Sequence, residues 1–196
     1  MGQAAASAYV SFEDYFEGEV MATLDSPRHE WSDGVVYGMS RGSPEHGRLA
    51  ARAIRFLGSQ LPASCEVYSS DTMLFIAEAN LSTYADALVI CGPPQMVRVE
   101  RNGRSLGAAI TNPAVIVEVL SESTERYDRD GKFQAYKRIA SLEEYVLVSQ
   151  GERKIEIFRR SDGFRGEVAA SGQTIVVHGA TVAVDDVYGP PTAPSE

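Results

Sequence analysis

Apolar and polar positions follow two different periods along this chain, and together they predict a mixed α/β protein. A helix is predicted within "SFEDYFEGEVM", where Ser11 is a suitable N-cap and acidic residues fill the first turn. A second helix is predicted from Pro44 to about Gln60, because apolar residues recur there at helical spacing after a Ser43 cap. A third is predicted from about Glu125 to Ile139, so helices occur near the start, in the first third and late in the chain.

Short apolar stretches between these helices predict strands. The segment "HEWSDGVVYGMS" predicts two strands about a turn at Ser32–Asp33–Gly34, and Asn102–Gly103 predicts a hairpin, since Asn-Gly favours primed turns. Strands are also expected around Asp86–Ile90 and over Ala114–Leu120. Further strands are predicted in "EVYSS", "TMLFIA", "EEYVLVS", "KIEIFRR" and "FRGEVAA", with "TIVVHG" and "TVAVDD" extending the last three as a meander. This order predicts one central mixed sheet flanked by helices, with an additional C-terminal strand meander.

Length and composition suit one soluble domain. The 196 residues are 44% hydrophobic, which predicts a single domain over 1–196 with its core at about 11–188 and loose ends at 1–8 and 189–196. The longest apolar runs are too short to cross a bilayer, and the N-terminus lacks the pattern of a secretory signal. A cytoplasmic protein with no membrane contact is therefore expected.

Cys65 and Cys91 lack metal-site spacing, so we expect small buried thiols and no disulfide.

Two acidic residues stand in apolar strands. Side chains alternate along a strand, so Glu118 shares a face with Ala114, Ile116 and Leu120. An unpaired carboxylate on a buried face would cost several kcal/mol or take up a proton. Asp86 repeats this pattern in "ADALVI".

If these two strands are neighbours, the carboxylates of Asp86 and Glu118 converge. Two close carboxylates repel unless a cation lies between them, and oxygen-rich sites suit Mg²⁺ or Mn²⁺. The alternative is structural, because acidic residues at strand ends also cap turns or pair with arginine.

Lys132 is the third candidate. It lies on one helical stripe with Asp128, Ala135, Tyr136 and Ile139. That stripe should face the sheet, where an ammonium could stabilise charge during phosphodiester cleavage. The alternative is a surface ion pair between Lys132 and Asp128.

These residues resemble a known family. A strand Asp, a Glu in an apolar strand and a downstream helical Lys resemble the PD-(D/E)XK, or restriction-endonuclease-like, nuclease superfamily. The closer resemblance is to its bacterial Uma2-type group. The matching stretches cover most of residues 12–160 and are "HEWSDGVVYGMS", "SPEHGRLAARAIRFL", "SSDTMLFI", "YADALVI", "VIVEVLSESTERYDRDGKFQAYKRIASLEEYVLVS" and "KIEIFRR".

The resemblance implies a Mg²⁺-dependent endonuclease, with Mn²⁺ as a substitute. Asp86 and Glu118 would bind the metal, Glu30 would be an additional acidic ligand, and Lys132 would stand in for the motif lysine. Two positions depart from the superfamily pattern: Ala85 replaces its Pro, and Leu120 stands where the motif has Lys. The missing Pro and the acidic net charge favour the alternative function, a catalytically silent nuclease-fold domain with a binding or regulatory role.

The expected partners are nucleic acid, with DNA preferred over RNA although the sequence does not separate them, and a second copy of the chain, which the resemblance implies. The net charge of -9 disfavours loose nucleic-acid binding but permits a local basic surface. Candidate phosphate contacts come from three arginine clusters and are Arg48, Arg52, Arg101, Arg104 and Arg129. The predicted hairpin at Asn102–Gly103 is the preferred nucleic-acid-binding arm. A dimer could pair through edge strands among "EEYVLVS" and "KIEIFRR".

His46 could contact phosphate or a metal-bound water, or be a neutral structural histidine.

Overall fold

The computed structural model describes residues 9–23, 25–40 and 42–190. The helical elements are α1 (Phe12–Met21), α2 (Pro44–Gln60), α3 (Glu125–Tyr127), a π-helical segment (Asp128–Lys132), α4 (Phe133–Tyr136) and α5 (Val184–Tyr188), with 3₁₀ turns at Ala77–Ala79 and Arg160–Asp162. The strands are β1 (His29–Ser32), β2 (Val35–Gly38), β3 (Cys65–Ser69), β4 (Met73–Ile76), β5 (Leu81–Tyr84), β6 (Ala87–Cys91), β7 (Met96–Arg101), β8 (Arg104–Ile110), β9 (Val115–Leu120), β10 (Glu144–Ser149), β11 (Lys154–Arg159), β12 (Gly166–Ala170), β13 (Thr174–Val177) and β14 (Ala180–Ala183).

The strands form two six-stranded sheets and a separate two-stranded sheet. The first has the order β2-β1-β5-β4-β8-β7, and the second has the order β12-β11-β10-β9-β6-β3. Both are mixed, since β4 and β8 are parallel, β9 and β10 are parallel, and the other pairs are antiparallel. The mixed α/β class is thus confirmed, but the prediction of one central sheet is wrong.

The predicted helix starts and tight turns are confirmed. The side chains of Ser11 and Ser43 accept hydrogen bonds from the first turns of α1 and α2, and α2 has the predicted bounds. Both hairpin loops need left-handed backbone, which Asn and Gly adopt readily; φ is +52° at Asn102 and +74° at Gly103.

The two faces of β9 pack into different parts of the core, as strand alternation predicts. Val115, Val117 and Val119 lie in an apolar cluster with α2 and the β13–β14 hairpin. Ile116 and Leu120 lie in a second cluster that contains buried residues of both large sheets and of α4. Glu118 is therefore a carboxylate on the strand face between the sheets.

The third helix is not continuous. Residues Asp128–Lys132 form a π-helical segment between the short helices α3 and α4. The predicted stripe is nevertheless buried: the exposed fraction is 9% or less at Asp128, Lys132, Ala135, Tyr136 and Ile139. The helical period thus predicted the buried face correctly. The π-helical segment contains the two charged residues of that face, Asp128 and Lys132. Single π-helical turns often occur at functional sites.

The C-terminal strands differ from the predicted meander. Strands β10, β11 and β12 are consecutive in the second sheet, but β13 and β14 form their own sheet. Strands β10 and β11 are interior, so the prediction that they supply a free edge for a dimer is wrong.

Gly189 is buried and its N–H donates to the Asp185 carbonyl, so the loose C-terminal end does not begin there. Residues 1–8 and 191–196 lie outside the described residues.

Cys65 and Cys91 form a disulfide, contrary to the prediction of two buried thiols. They are directly opposite each other on β3 and β6, and both are half-buried. The sequence reasoning failed because the strands pair across an intervening hairpin that the spacing alone does not show.

No helix in the described part of the chain is long and apolar enough to cross a membrane.

Removing the α1 cap should have a small, measurable effect. The Ser11 side chain accepts a hydrogen bond of 3.1 Å from the Asp14 N–H. We expect Ser11→Ala to lower the free energy of unfolding by about 1 kcal/mol, measured by urea denaturation. Ser11→Gly is the matched control, with an expected loss of only a few tenths of a kcal/mol. Equal losses in both variants would contradict the capping role.

Candidate active site

The candidate site lies where the chain passes from one large sheet to the other. Strand β5 ends at Tyr84 in the first sheet, and β6 begins at Ala87 in the second. Only Ala85 and Asp86 join them. The single strand predicted around Asp86 is therefore two strands, and Asp86 lies at the junction.

Asp86 and Glu118 face each other across neighbouring strands. Ala87 pairs with Val117 in the antiparallel register of β6 and β9, so the next positions outward are Asp86 and Glu118. Asp86 is fixed from two sides: its Oδ2 accepts the Val119 N–H at 2.7 Å, and its Oδ1 lies 2.8 Å from His46 Nε2. The structure thus brings together the two acids that the sequence singles out.

Glu118 is buried, with an exposed fraction of 4%. Its Oε1 accepts hydrogen bonds from Tyr136 Oη at 2.7 Å and from Lys132 Nζ at 3.2 Å. Burial raises the pKa of Glu118 to about 8, although Lys132 opposes this and Asp86 adds to it. The carboxylate is therefore held in place at a free-energy cost that a nearby cation would offset.

Lys132 is one buried ammonium shared among three carboxylates. Its Nζ lies 3.2 Å from Glu118, 3.3 Å from Glu30 and 3.6 Å from Asp128. Burial alone would lower the pKa of Lys132, but the three carboxylates raise it, so the side chain is charged. The predicted Asp128–Lys132 pair exists, but it is buried at the site and not on the surface.

Glu30 reaches the site from β1 of the first sheet. Its Oε1 accepts a hydrogen bond from Thr83 and pairs with Lys132. The hydrogen bond from Thr83 holds the Glu30 carboxylate in position, and the ion pair makes it a partner of Lys132. Its role as a metal ligand stays a prediction.

His46 belongs to a polar network that the sequence only partly indicated. Besides Asp86, it faces Gln150, whose Nε2 lies 3.4 Å from His46 Nδ1 and donates to the Leu120 carbonyl at 2.7 Å. Ser43, the cap of α2, donates to the Gln150 Oε1 at 2.8 Å. The hydrogen bond to Asp86 raises the pKa of His46, although burial opposes it. No sequence signal pointed to Gln150, which lies in the loop after β10.

These side chains line an open cleft of roughly 2370 Å³. Among the described residues, the cleft wall contains eight acidic side chains but only two basic ones from Lys or Arg, which are Arg28 and Lys132. A pocket for a small molecule is typically about 300–1,000 Å³, so the cleft could hold a longer ligand. Its acidic wall means that an anionic ligand would need added positive charge there.

The predicted phosphate-binding arginines are not in this cleft lining, and most have partners within the chain. Arg101, on the hairpin that the sequence favours as a nucleic-acid arm, pairs with Asp14 and Glu17 of α1. The others contact the chain as follows: Arg48 binds Glu45 and the Tyr188 carbonyl, Arg52 binds the Asp186 carbonyl, and Arg129 binds Glu125 and Glu156. Arg104 is exposed. Their contact with nucleic acid stays a prediction.

The donor chemistry at Asp86 and Glu118 fits a hard divalent cation. Both side chains offer carboxylate oxygens, and both contacts described for Glu118 use Oε1, which leaves Oε2 for a cation. In the described ranges, no three Asp, Glu or His groups of this site lie within 4.8 Å of one another, so the site would offer a cation these two carboxylates. Mg²⁺ commonly binds through one or two carboxylates, with waters and substrate phosphates completing its shell.

The fold is restriction-endonuclease-like, and it brings the half-buried Asp86 together with the buried Glu118 and Lys132 between its two large mixed sheets. A solved structure described as "a putative nuclease belonging to DUF820" from Anabaena variabilis has this fold, with a TM-score of 0.65 and 15% sequence identity. The match covers 83% of this chain and 90% of that one. Residues 12–184 match the Uma2 family, described as "putative restriction endonuclease", and the chain belongs to that family.

Two proteins from Synechocystis sp. are similar to this chain over most of its length. The uncharacterised protein slr1290 is 33% identical over 154 residues, which is 78% of this chain and 75% of the relative. The uncharacterised protein sll1609 is 30% identical over 157 residues, covering 80% of this chain and 84% of the relative. The family and the structural neighbour together support a nuclease-like function.

Proposed function

We propose that the protein is a Mg²⁺-dependent endonuclease that hydrolyses phosphodiester bonds, with DNA as its substrate. The observation that carries this proposal is the proximity of Asp86, just before β6, to Glu118 of the neighbouring strand β9, beside the buried ammonium of Lys132. An acidic cleft repels a phosphate backbone, and a cation held by these two carboxylates would offset that repulsion. The family assignment supplies the reaction class.

Each residue of the site would have a distinct role in the proposed reaction. Asp86 and Glu118 would hold the ion, which when bound would activate water and stabilise charge on the scissile phosphate. Lys132 would fix Glu118 and add positive charge beside the phosphate oxygens. Glu30 and Asp128 would hold the lysine in the site through their contacts with its ammonium.

The direct test is metal binding combined with cleavage. Titration calorimetry with Mn²⁺ should give one or two sites in the wild type and none in Asp86→Ala. Cleavage of supercoiled, linear and single-stranded DNA, and of RNA, should require Mg²⁺ or Mn²⁺ and stop with EDTA. Metal binding that is unchanged in Asp86→Ala would contradict the placement of the ion. Cleavage of RNA but not DNA would contradict the substrate.

His46 is expected to act as a positioning residue for Asp86. Its Nε2 lies 2.8 Å from Asp86 Oδ1, so His46→Ala should free that carboxylate and reduce cleavage by about 10–100-fold. His46→Gln places a donor near the same point and should recover most of the rate. The measurement is Mg²⁺-dependent cleavage at several metal concentrations. Equal loss in both variants would mean that the imidazole does more than orient Asp86.

A second candidate function is a nuclease-fold domain that binds nucleic acid without cleaving it. Both oxygens of Asp86 and Oε1 of Glu118 already have hydrogen-bond partners within the chain. These contacts favour the second candidate, because they hold the acids in place without a metal ion. The metal titration separates the two candidates. A wild type that binds DNA in a gel-shift assay, but neither binds Mn²⁺ nor cleaves with DNA present, would favour the second.

A further inference from the structure

We propose that Cys65, Cys91 and His178 form a second, separate metal site, which takes a thiolate-preferring cation such as Zn²⁺ once the disulfide is reduced. Their Sγ and Nε2 atoms all lie within 4.8 Å of one another. Within residues 9–23, 25–40 and 42–190, this is the one group of three or more Cys, His, Asp or Glu with such spacing. Two thiolates and an imidazole are ligands that Zn²⁺ prefers over Mg²⁺.

The imidazole of His178 is oriented toward the sulfurs. Its Nε2 lies 3.2 Å from Cys91 Sγ, while its Nδ1 lies 3.2 Å from the Glu143 carboxylate. The His178 backbone N–H donates to Glu144 Oε2 at 2.7 Å. In the tautomer that carries its proton on Nδ1, on the side of the Glu143 carboxylate, the lone pair of Nε2 faces the sulfur. A carboxylate behind a histidine is the usual support for a metal-ligating imidazole.

The position of His178 in the fold is a second, independent observation. His178 and Gly179 form the two-residue loop between β13 and β14, with φ of +47° and +86°. Such a loop favours Asn, Asp or Gly at both positions, and His is one of the few other residues that adopt positive φ readily. The turn therefore accepts histidine without requiring it, and it holds the imidazole beside Cys91.

The site is distinct from the candidate nuclease site in place and in chemistry. Asp86 precedes β6 and Cys91 ends it, so five residues of strand separate them by about 17 Å. The ligands at one end are carboxylate oxygens and those at the other are sulfur and nitrogen. The proposal therefore does not depend on the proposed nuclease activity.

The chemistry balances with a reductant of the dithiol or phosphine class. Reduction adds two electrons and two protons to the Cys65–Cys91 bond and gives two thiols, while the reductant is oxidised. Binding of Zn²⁺ then releases the two thiol protons, and Nε2 of His178 supplies the third ligand. The fourth position of a tetrahedral ion is left to water or an added ligand. Oxidation would expel the metal, so disulfide and metal are alternative states of one pair of sulfurs.

The test compares oxidised and phosphine-reduced full-length protein, titrated with Co²⁺ and then Zn²⁺. The reduced wild type should show tetrahedral Co²⁺ bands with a thiolate-to-cobalt transition, which Zn²⁺ then removes. The oxidised protein, an unmutated control, should show neither. Thiol titration should show two reactive sulfurs in the reduced protein and protection of both by Zn²⁺. Absence of the thiolate transition in the reduced wild type would overturn the proposal.

Variants test the histidine separately. His178→Asn keeps a residue suited to the turn and should weaken Zn²⁺ binding at least tenfold, while Glu143→Gln should weaken it about tenfold. His29→Asn, which changes a histidine bound to Glu19, should leave Zn²⁺ affinity unchanged. Wild-type affinity in His178→Asn would show that the imidazole is not a ligand and would overturn the site as proposed.

Discussion

Replacing Glu118 by Gln should reduce metal-dependent cleavage by about a thousandfold or more, while the protein stays folded. The amide keeps the size of the side chain and an oxygen to accept from Tyr136, but it loses the negative charge that would hold the cation. Loss of a group that stabilises transition-state charge commonly costs 10²–10³-fold, and loss of the ion adds to that. Cleavage rates at saturating Mg²⁺, with circular dichroism as a check of folding, measure the effect.

Glu122→Gln is the matched control for this prediction. Glu122 lies on the cleft wall four residues after Glu118, but its side chain is exposed. The same change of charge there should alter the rate by less than a few fold. If both variants lose activity equally, the effect comes from the overall charge of the cleft. If neither does, the assignment of Glu118 fails.

Replacing Lys132 by Met should destabilise the protein by about 3–5 kcal/mol. The change leaves the carboxylates of Glu30, Glu118 and Asp128 buried without their shared cation, and removal of one partner from a buried pair costs about that much. Chemical denaturation in EDTA gives the free energy of unfolding. Adding Glu30→Gln should recover part of the loss, because it removes one unpaired charge.

Lys137→Met is the control for Lys132. Lys137 lies five residues further on, partly exposed, with its ammonium 4.7 Å from the centre of the Phe133 ring. Its loss should cost less than about 1 kcal/mol. A similarly small loss in Lys132→Met would mean that the three carboxylates are protonated or hydrated without the lysine, and the view of a shared buried cation would be wrong.

Local sequence signals predicted the elements and the acids well. The Ser43-Pro44 start gave the bounds of α2, and strand alternation put Glu118 on the inner face of β9. Helical spacing identified the buried face that carries Lys132, although the chain is π-helical there. Each of these inferences needs only a few neighbouring residues and the geometry of one element.

The features that the sequence did not reveal depend on which elements become neighbours. Strands β5 and β6 read as one strand because only Ala85 and Asp86 divide them. Gln150 reaches His46 from a loop more than 100 residues later, and His178 reaches Cys91 from another hairpin. No periodicity within one segment carries such information, and the same holds for the acids of α1 that pair with Arg101.

The junction at Asp86 makes the site sensitive to the angle between the two sheets. Glu30 belongs to one sheet and Glu118 to the other, and the ammonium of Lys132 contacts both. A small rotation of one sheet against the other would therefore pull the carboxylates apart, and a misplacement of about 1 Å can cost a hundredfold in rate. Substitutions in the shared core, such as at Leu88 or Ile116, could thus abolish the proposed cleavage while every cleft residue is unchanged.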